Sequence, residues 1–329
     1  MIQSIGKADI KTWWEIVKKD QNATFYHTPA WLEVAQCNDD KYADASLMGT
    51  FSSGTNFLFP LVSYIRQWPF KRLYSVYDYC YGGLIADGPV SAAEHQAVLK
   101  ALPLNQFSSF NLTVTPGVST ANRDPLPEFE VGTYTSSILN LEGLTFEEAL
   151  AGYSSSHRRN YRKAVKAGIT VRKADTNRIH EELAIFYEIY LDTLENRWGD
   201  DMMALVISEP FLNKLGELVQ RYPENICLWF AELDGKAISA EIDFVWNGRL
   251  DSWTPVSRPE YFKMMPTLAL FSGIIKNAID IGVTTFDFGP NLGKQSLQDF
   301  KRRFGSETVE YNTWERPSPA LQLVDKMRR

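Results

Sequence analysis

The chain has 329 residues, 44% of them hydrophobic and 22% charged, with a formal net charge of −6. Single hydrophobic cores stop growing near roughly 250–300 residues, so this length predicts two domains, and the composition excludes disordered and fibrous classes. The acidic balance argues against a general nucleic-acid binder, which sets many cations against phosphates, and no DNA partner is expected.

Cys37, Cys80 and Cys227 stand far apart without CxxC spacing or a His cluster, so neither a disulfide framework nor a metal site is expected. Lys7, Asp9, Lys11 and Glu15 break the apolar run that a secretory signal needs. No window reaches the ~18 uninterrupted apolar residues of a membrane span. The expectation is a cytoplasmic chain with no integral membrane segment.

Ile10, Trp13, Trp14 and Val17 recur at helical spacing, and Thr28-Pro29-Ala30 opens a second helix through Trp31 and Val34. Two short helices are thus expected to begin the fold. Residues 45–51 and 56–64 read as strands around Ser52-Ser53-Gly54, followed by a loop with Trp68 and Pro69. Tyr77, Tyr79 and Tyr81 lead to Gly82-Gly83, a pair that suits a turn or a close backbone approach. A helix over 94–101 and a strand over 110–114 precede a polar loop, 115–128, that carries three prolines and approaches the domain boundary. The domains are expected at 1–133 and 134–329.

The second half opens with a strand from Tyr134 and a helix capped by Thr145, which ends near Gly152. Ser154 to Ser156 cap a basic helix that stops at Gly168. Arg159, Arg162, Lys163 and Lys166 share one face of it, as a solvated stripe or an anion-binding one. Ile179, Leu183, Phe186, Tyr190 and Leu194 predict a long amphipathic helix ending around Trp198 and Gly199, and a shorter helix starts at Pro210. Strands over 226–233, 237–246 and 250–256 are separated by Asp234-Gly235 and Asn247-Gly248, dipeptides suited to tight hairpins. Leu268, Phe271, Ile275, Ala278 and Ile279 then mark a helix stopping at Gly282, before a strand over 284–288.

Three motifs carry a resemblance. They are Ser156-His157-Arg158-Arg159-Asn160-Tyr161-Arg162-Lys163-Ala164 with Gly168-Ile169-Thr170-Val171; Phe286-Asp287-Phe288-Gly289 with Phe300-Lys301-Arg302-Arg303-Phe304-Gly305; and Phe25 to Leu32 with Tyr81-Gly82-Gly83. Together with the order of strands, helix, strand, they resemble the GNAT-like acyltransferases of the FemAB/FemX-related superfamily. The resemblance implies an α/β (α+β) fold of two tandem GNAT-like domains, each a mixed, largely antiparallel sheet flanked by helices. It implies transfer of an acyl or aminoacyl group to an amine of a cell-envelope precursor, amino sugar, polysaccharide or lipid. The donor is acyl-CoA or aminoacyl-tRNA, no cofactor is tightly bound, and peripheral membrane association is compatible with such acceptors. A non-catalytic double-GNAT scaffold and a tRNA-dependent peptidyltransferase are the alternatives.

Amide formation needs a base for the amine and a stabiliser for the oxyanion. By resemblance Lys301 is the Lys of the K-x-x-F-G motif and the candidate oxyanion cation, although a cation on a terminal helix is otherwise expected at the surface. Glu241 and Asp243 alternate onto one side of their strand, and Asp251 shares a face with Trp253 on the next. Glu241 is read as a base or a paired acid, Asp251 as orienting the acceptor amine, and Trp253 as packing on a sugar or acyl chain. The stretch 256–266, VSRPEYFKMMP, lacks a glycine-rich pyrophosphate loop. Arg258, Tyr261 and Lys263, beside a helix starting near Pro266, are the candidate donor contacts there, with Arg159 and Arg162 on the basic helix. Asp287 is expected to accept amides at the Gly289 turn, and Cys227 to be a buried strand residue.

Overall fold

The structure is a computed structural model, described over residues 1–67, 70–77, 80–118, 124–195 and 207–317. Trp68, Pro69, Tyr79, Trp198 and Gly199 lie outside the described residues. The chain forms two compact units, the first from Met1–Thr135 with Glu310–Arg329 and the second from Ser136–Val309.

The first unit opens with a strand, β1 (Ile2–Lys7), where helices alone were expected. Its outward-facing residues carry no apolar alternation, so only its pairing with a later strand reveals it. Helix α1 (Ile10–Lys19) is capped by Asp9, whose carboxylate accepts from Thr12 N at 2.9 Å, and buries Trp13, Ile16 and Val17. Helix α2 (Pro29–Asn38) starts at a Thr28 cap with Pro29 in its first turn. Strands β2 (Tyr42–Asp44), β3 (Leu47–Phe51), β4 (Asn56–Phe59), β5 (Val62–Gln67), β6 (Phe70–Tyr74), β7 (Tyr81–Gly82) and β8 (Ile85–Ala86) follow. The single strand expected over 56–64 is two, because Pro60 lacks the N–H a continuous ladder needs. Helix α3 (Ala92–Ala101) is closed by a Ser91–Glu94 capping box and precedes β9 (Ser109–Val114). One sheet runs β1-β3-β4-β8, all antiparallel. A second runs β9-β6-β5-β2, with β6 and β7 parallel to β9.

The second unit begins within β10 (Glu130–Asn140). Helix α4 (Phe146–Gly152) has a Thr145–Glu148 capping box, and α5 (Ser155–Lys166) is capped by Ser154, which accepts from His157 N at 3.2 Å. Then come β11 (Thr170–Lys173), α6 (Ile179–Thr193), α7 (Glu209–Arg221), β12 (Ile226–Leu233), β13 (Lys236–Trp246), β14 (Arg249–Ser252) and β15 (Val256–Ser257). Helix α8 (Pro266–Asp280), β16 (Thr285–Pro290) and α9 (Gln295–Arg302) complete it. The sheet order is β11-β12-β13-β14-β16-β10, antiparallel except for β14 beside β16, with β15 added to β13.

The two hairpin turns are as the dipeptides require. Asp234 and Gly235 have φ of 51° and 76°, and Asn247 and Gly248 have 47° and 71°, the paired positive values of a type I′ turn. The strand expected over 250–256 is interrupted. Trp253 N makes a last bond to Ile242 O at 3.2 Å, Pro255 has no N–H to offer, and pairing resumes only at Val256. Helix α8 packs across this sheet. Its Phe271 meets Phe288 at 5.2 Å and Phe304 at 5.7 Å between ring centroids, edge to face.

The last strand, β17 (Glu307–Pro317), returns the chain to the first unit, where Thr313 and Trp314 pair with Thr113 and Leu112 of β9. One crossing at 133/134 was expected. The chain crosses instead at Thr135–Ser136 and again at Val309–Glu310, inside two eleven-residue strands. A pairing between residues two hundred positions apart leaves no local pattern in the sequence. Both units are of the α+β class, each with a mixed, largely antiparallel sheet and helices.

Candidate active site at a strand fork

The parallel ladder between β14 and β16 pairs Arg249 with Thr285, Leu250 with Phe286 and Asp251 with Asp287, and ends there. Beyond that point β14 turns away through Trp253, Thr254 and Pro255 while β16 continues to Pro290. The acid–base candidates Glu241, Asp251 and Lys301 lie on or beside these strands.

Asp287 anchors this fork. Its Oδ1 accepts from Gly289 N at 2.8 Å and from the Ser136 hydroxyl at 2.5 Å, and its Oδ2 takes the Arg249 guanidinium. The same guanidinium donates through Nε to Asp251 Oδ1 at 2.7 Å. Gly289 has φ +76°, and a Cβ there would lie 3.3 Å from Ser252 O, so glycine suits both the turn and the approach of the two strands. Asp287 thus has the amide-accepting role expected of it, with an ion pair added.

Lys301 departs from the expected surface cation. It is 5% exposed, and its ammonium donates to Gly289 O at 2.7 Å and Pro290 O at 2.8 Å. Helix α9 turns it inward because Phe300 and Phe304, on the same short helix and its end, are drawn into the aromatic core against Phe271. Burial pulls the Lys301 ammonium down to about 8, against the opposing pull of Asp287 and Glu241.

Glu241 and Asp243 lie on one face of β13, both fully buried. The Ser252 hydroxyl donates to Glu241 Oε1. Burial raises Glu241 to about 7, with Ser252, Asp243 and the Lys301 charge holding it from going higher. Asp243 is pushed well above the ordinary carboxylate range by burial and then by the neighbouring Glu241. Asp251 rises to about 6 through burial, opposed by Arg249 and reinforced by Asp287. An acid near neutrality and a buried cation are what amine deprotonation and carbonyl polarisation require.

The donor-side candidates are placed elsewhere. Arg258 donates through Nε to Ala237 O at 3.1 Å, and its terminal nitrogens pair with Asp192 and Glu188 of α6, so it is already neutralised. Lys263 is exposed just before α8, and Tyr261 is half-buried beneath the Lys236 ammonium, 5.2 Å from the ring centroid. Trp253 is half-buried and packs on Phe244 and Phe211, at 5.6 and 6.3 Å between ring centroids. Arg159 and Arg162 are exposed with Lys163 and Lys166 on the outward side of α5, and among the described residues none of the four makes an ion pair. Cys227 is buried, its thiol raised by burial, as expected of a strand residue.

Sequence reasoning missed Arg249, Ser252 and Ser136, whose roles depend on strand register. A pocket of about 350 Å3 in the first unit, lined by Ser4, Thr12, Met48, Thr50 and Asn56 among others, has no titratable lining and offers no acid–base chemistry. Among the described residues no group of three or more His, Cys, Asp or Glu is placed to hold a metal ion, and no helix is long and apolar enough to cross a membrane.

Residues 153–302 match the family described as an acetyltransferase (GNAT) domain. No curated protein sequence matches the chain. Among solved structures, FemX is similar over 98% of this chain and 100% of that one, at 13% identity and a TM-score of 0.73. The C-terminal domain of a putative lysylphosphatidylglycerol synthetase from Agrobacterium fabrum is similar over 96% and 94%, at 12% identity and 0.61. L-PGS from Bacillus licheniformis is similar over 98% and 98%, at 12% identity and 0.59. At these identities the structures share the fold. Residues 153–302, which hold Glu241, Asp251, Asp287 and Lys301, thus match a GNAT acetyltransferase domain, and these matches support an acyltransferase whose fold is shared with FemX.

Proposed function

We propose that this acyltransferase carries an acyl or aminoacyl group onto an amine of a cell-envelope molecule by direct attack within a ternary complex. The observation that supports the reading is that Glu241, raised to about 7, and the buried Lys301 ammonium act on one another's charge beside the end of the β14–β16 ladder. In this reading the acceptor is bound as a neutral amine, and Glu241 takes a proton from its nitrogen as that nitrogen attacks the donor carbonyl. Lys301 faces the developing oxyanion with the part of its ammonium not used on Gly289 and Pro290. Asp251 holds Arg249 against Asp287 and so keeps the fork in register. The acceptor class is supported by the name of one solved neighbour, a putative lysylphosphatidylglycerol synthetase. The first unit is proposed as the second GNAT-like half.

Between donors, Arg258 is ion-paired with Asp192 and Glu188, while Lys263 is exposed just before α8. The exposed Arg159, Arg162, Lys163 and Lys166 favour aminoacyl-tRNA as a second reading, because a line of cations suits spaced phosphates. The test is transfer of label from acetyl-CoA, a long-chain acyl-CoA or an aminoacyl-tRNA to glucosamine, a muropeptide or aminolipid vesicles, by the wild type and Glu241→Gln. Transfer by the wild type that falls at least tenfold in Glu241→Gln supports the reading. Transfer of equal rate in both removes Glu241, and no transfer with any pair removes the function.

A further inference from the structure

Four buried carboxylates, Asp243, Glu241, Asp251 and Asp287, lie near the buried Lys301 and the half-buried Arg249. Arg249 is committed to Asp251 and Asp287. The Lys301 charge acts on Asp287 and Glu241. Asp243 is left without a cation, and a fully buried, unpaired carboxylate costs several kcal/mol. It must therefore be neutral, and a neutral carboxyl carries an O–H that needs an acceptor.

The register supplies one. Asp243 stands opposite Cys227 on β12 and Ser252 on β14, while Glu241, two residues before it on the same face, stands opposite Trp229. Two residues along a strand separate by about 7 Å at the backbone, a gap that an Asp and a Glu side chain bridge. Ser252 fills Oε1 of Glu241. Oε2 of Glu241 and both oxygens of Asp243 receive no hydrogen bond from any other described donor, and the Trp229 indole N–H on the same face is also unpartnered. Taken as two carboxylates, these oxygens are orphans; taken as one acid and one carboxylate, they are partners.

We propose that Asp243 is a positioning residue that remains protonated and donates its O–H to Oε2 of Glu241, fixing that carboxylate as the proton acceptor of the site. The second half of this statement rests on the function proposed above; the first does not. The groups around the pair agree with it. Cys227, Asp251 and Glu241 all oppose a negative charge on Asp243. Helix α8, packed over this face, has only Lys276 and Asp280 as ionisable side chains, both exposed. With Ser252 on one oxygen and Asp243 on the other, the Glu241 carboxylate has both in-plane positions oriented before an amine arrives. When the amine nitrogen bonds to the donor carbonyl carbon, its N–H bond breaks and an O–H bond forms at Glu241; as the bond from that carbon to the donor oxygen or sulfur breaks, the proton passes from Glu241 to the departing atom. The Asp243 proton stays where it is throughout.

Infrared spectra of the full chain at pH values from 5 to 9, taken as wild type minus Asp243→Asn at each pH, test the first half without any substrate. A protonated-carboxyl band that persists above pH 8 in the wild type and vanishes in Asp243→Asn is expected. No such band in the wild type, or an unchanged band in Asp243→Asn, overturns the proposal. The pH profile of kcat/KM for acyl transfer tests the second half. Asp243→Leu, which cannot donate, is expected to move the acid limb up by about one pH unit, because the carboxylate loses a stabilising donor. Asp243→Asn, whose amide donates in the same place, is expected to bring the limb back to within about half a unit of wild type. Identical limbs in all three overturn the positioning role. If Asp243→Leu does not fold, a limb displaced by a full unit in Asp243→Asn overturns it and a limb in place upholds it. If the wild type transfers nothing, the function fails, and the infrared result still decides Asp243.

Discussion

Replacing Lys301 by Ala removes the donor of two buried backbone carbonyls, Gly289 O and Pro290 O. Each unpaired carbonyl costs about 1–3 kcal/mol, so about 2–6 together. The lost stem adds about 2 kcal/mol from its buried methylenes. Against this, the variant no longer buries an ammonium whose pKa falls from 10.5 to about 8, a relief of up to ~3 kcal/mol. The carbonyls and stem win, and the net loss is about 1–5 kcal/mol at pH 7. Because the folded pKa of Lys301 lies below its unfolded value, the unfolded state binds more protons between pH 8 and 10.5. Wild-type stability attributable to this group therefore rises through that window. The deficit of Lys301→Ala should then be larger at pH 9.5 than at pH 7. Urea unfolding followed by tryptophan fluorescence at the two pH values measures both. Equal midpoints at equal slope for wild type and variant would refute the structural role given to Lys301. Turnover should also fall by at least about a hundredfold if the ammonium faces the oxyanion.

Further outcomes follow from the same geometry. Glu241 has a raised folded pKa, so its contribution to stability is present below about pH 4.5 and is lost as pH rises through about 7; the wild type should lose up to ~3 kcal/mol relative to Glu241→Gln across that window, read by denaturant unfolding, and parallel curves would reject it. Gly289→Ala forces a residue at φ +76° against Ser252 O and should lower stability by about 1–3 kcal/mol with a loss of turnover. Arg258→Ala breaks ion pairs whose acids are partly exposed; it should cost about 1 kcal/mol or less and leave acyl-CoA affinity by calorimetry within about twofold, whereas a tenfold loss would place Arg258 at the donor site. Neutralising Arg159, Arg162, Lys163 and Lys166 together should flatten the salt dependence of aminoacyl-tRNA binding; an unaltered slope removes that donor reading.

Much of the second unit was legible along the chain because its signals are local. Thr145 and Ser154 cap the helices they were expected to cap, the Asp-Gly and Asn-Gly turns form hairpins, and α8 buries the apolar face that its 3.6-residue period draws. The alternation on β13 correctly put Glu241 and Asp243 on one face. What the sequence determines by itself, then, is which segments form helices and hairpins and which residues share a face, since these depend on neighbours within a few positions. Tertiary structure decided the rest. The strand β1 and the return of β17 exist only through partners far away in sequence. Arg258 is paired with acids on α6, and Lys301 was turned from a surface cation into a buried one by two carbonyls on β16. The pKa values that give the fork its chemistry arise from burial and from charges brought together by register, and desolvation is a property of the packed molecule that no stretch of chain carries alone.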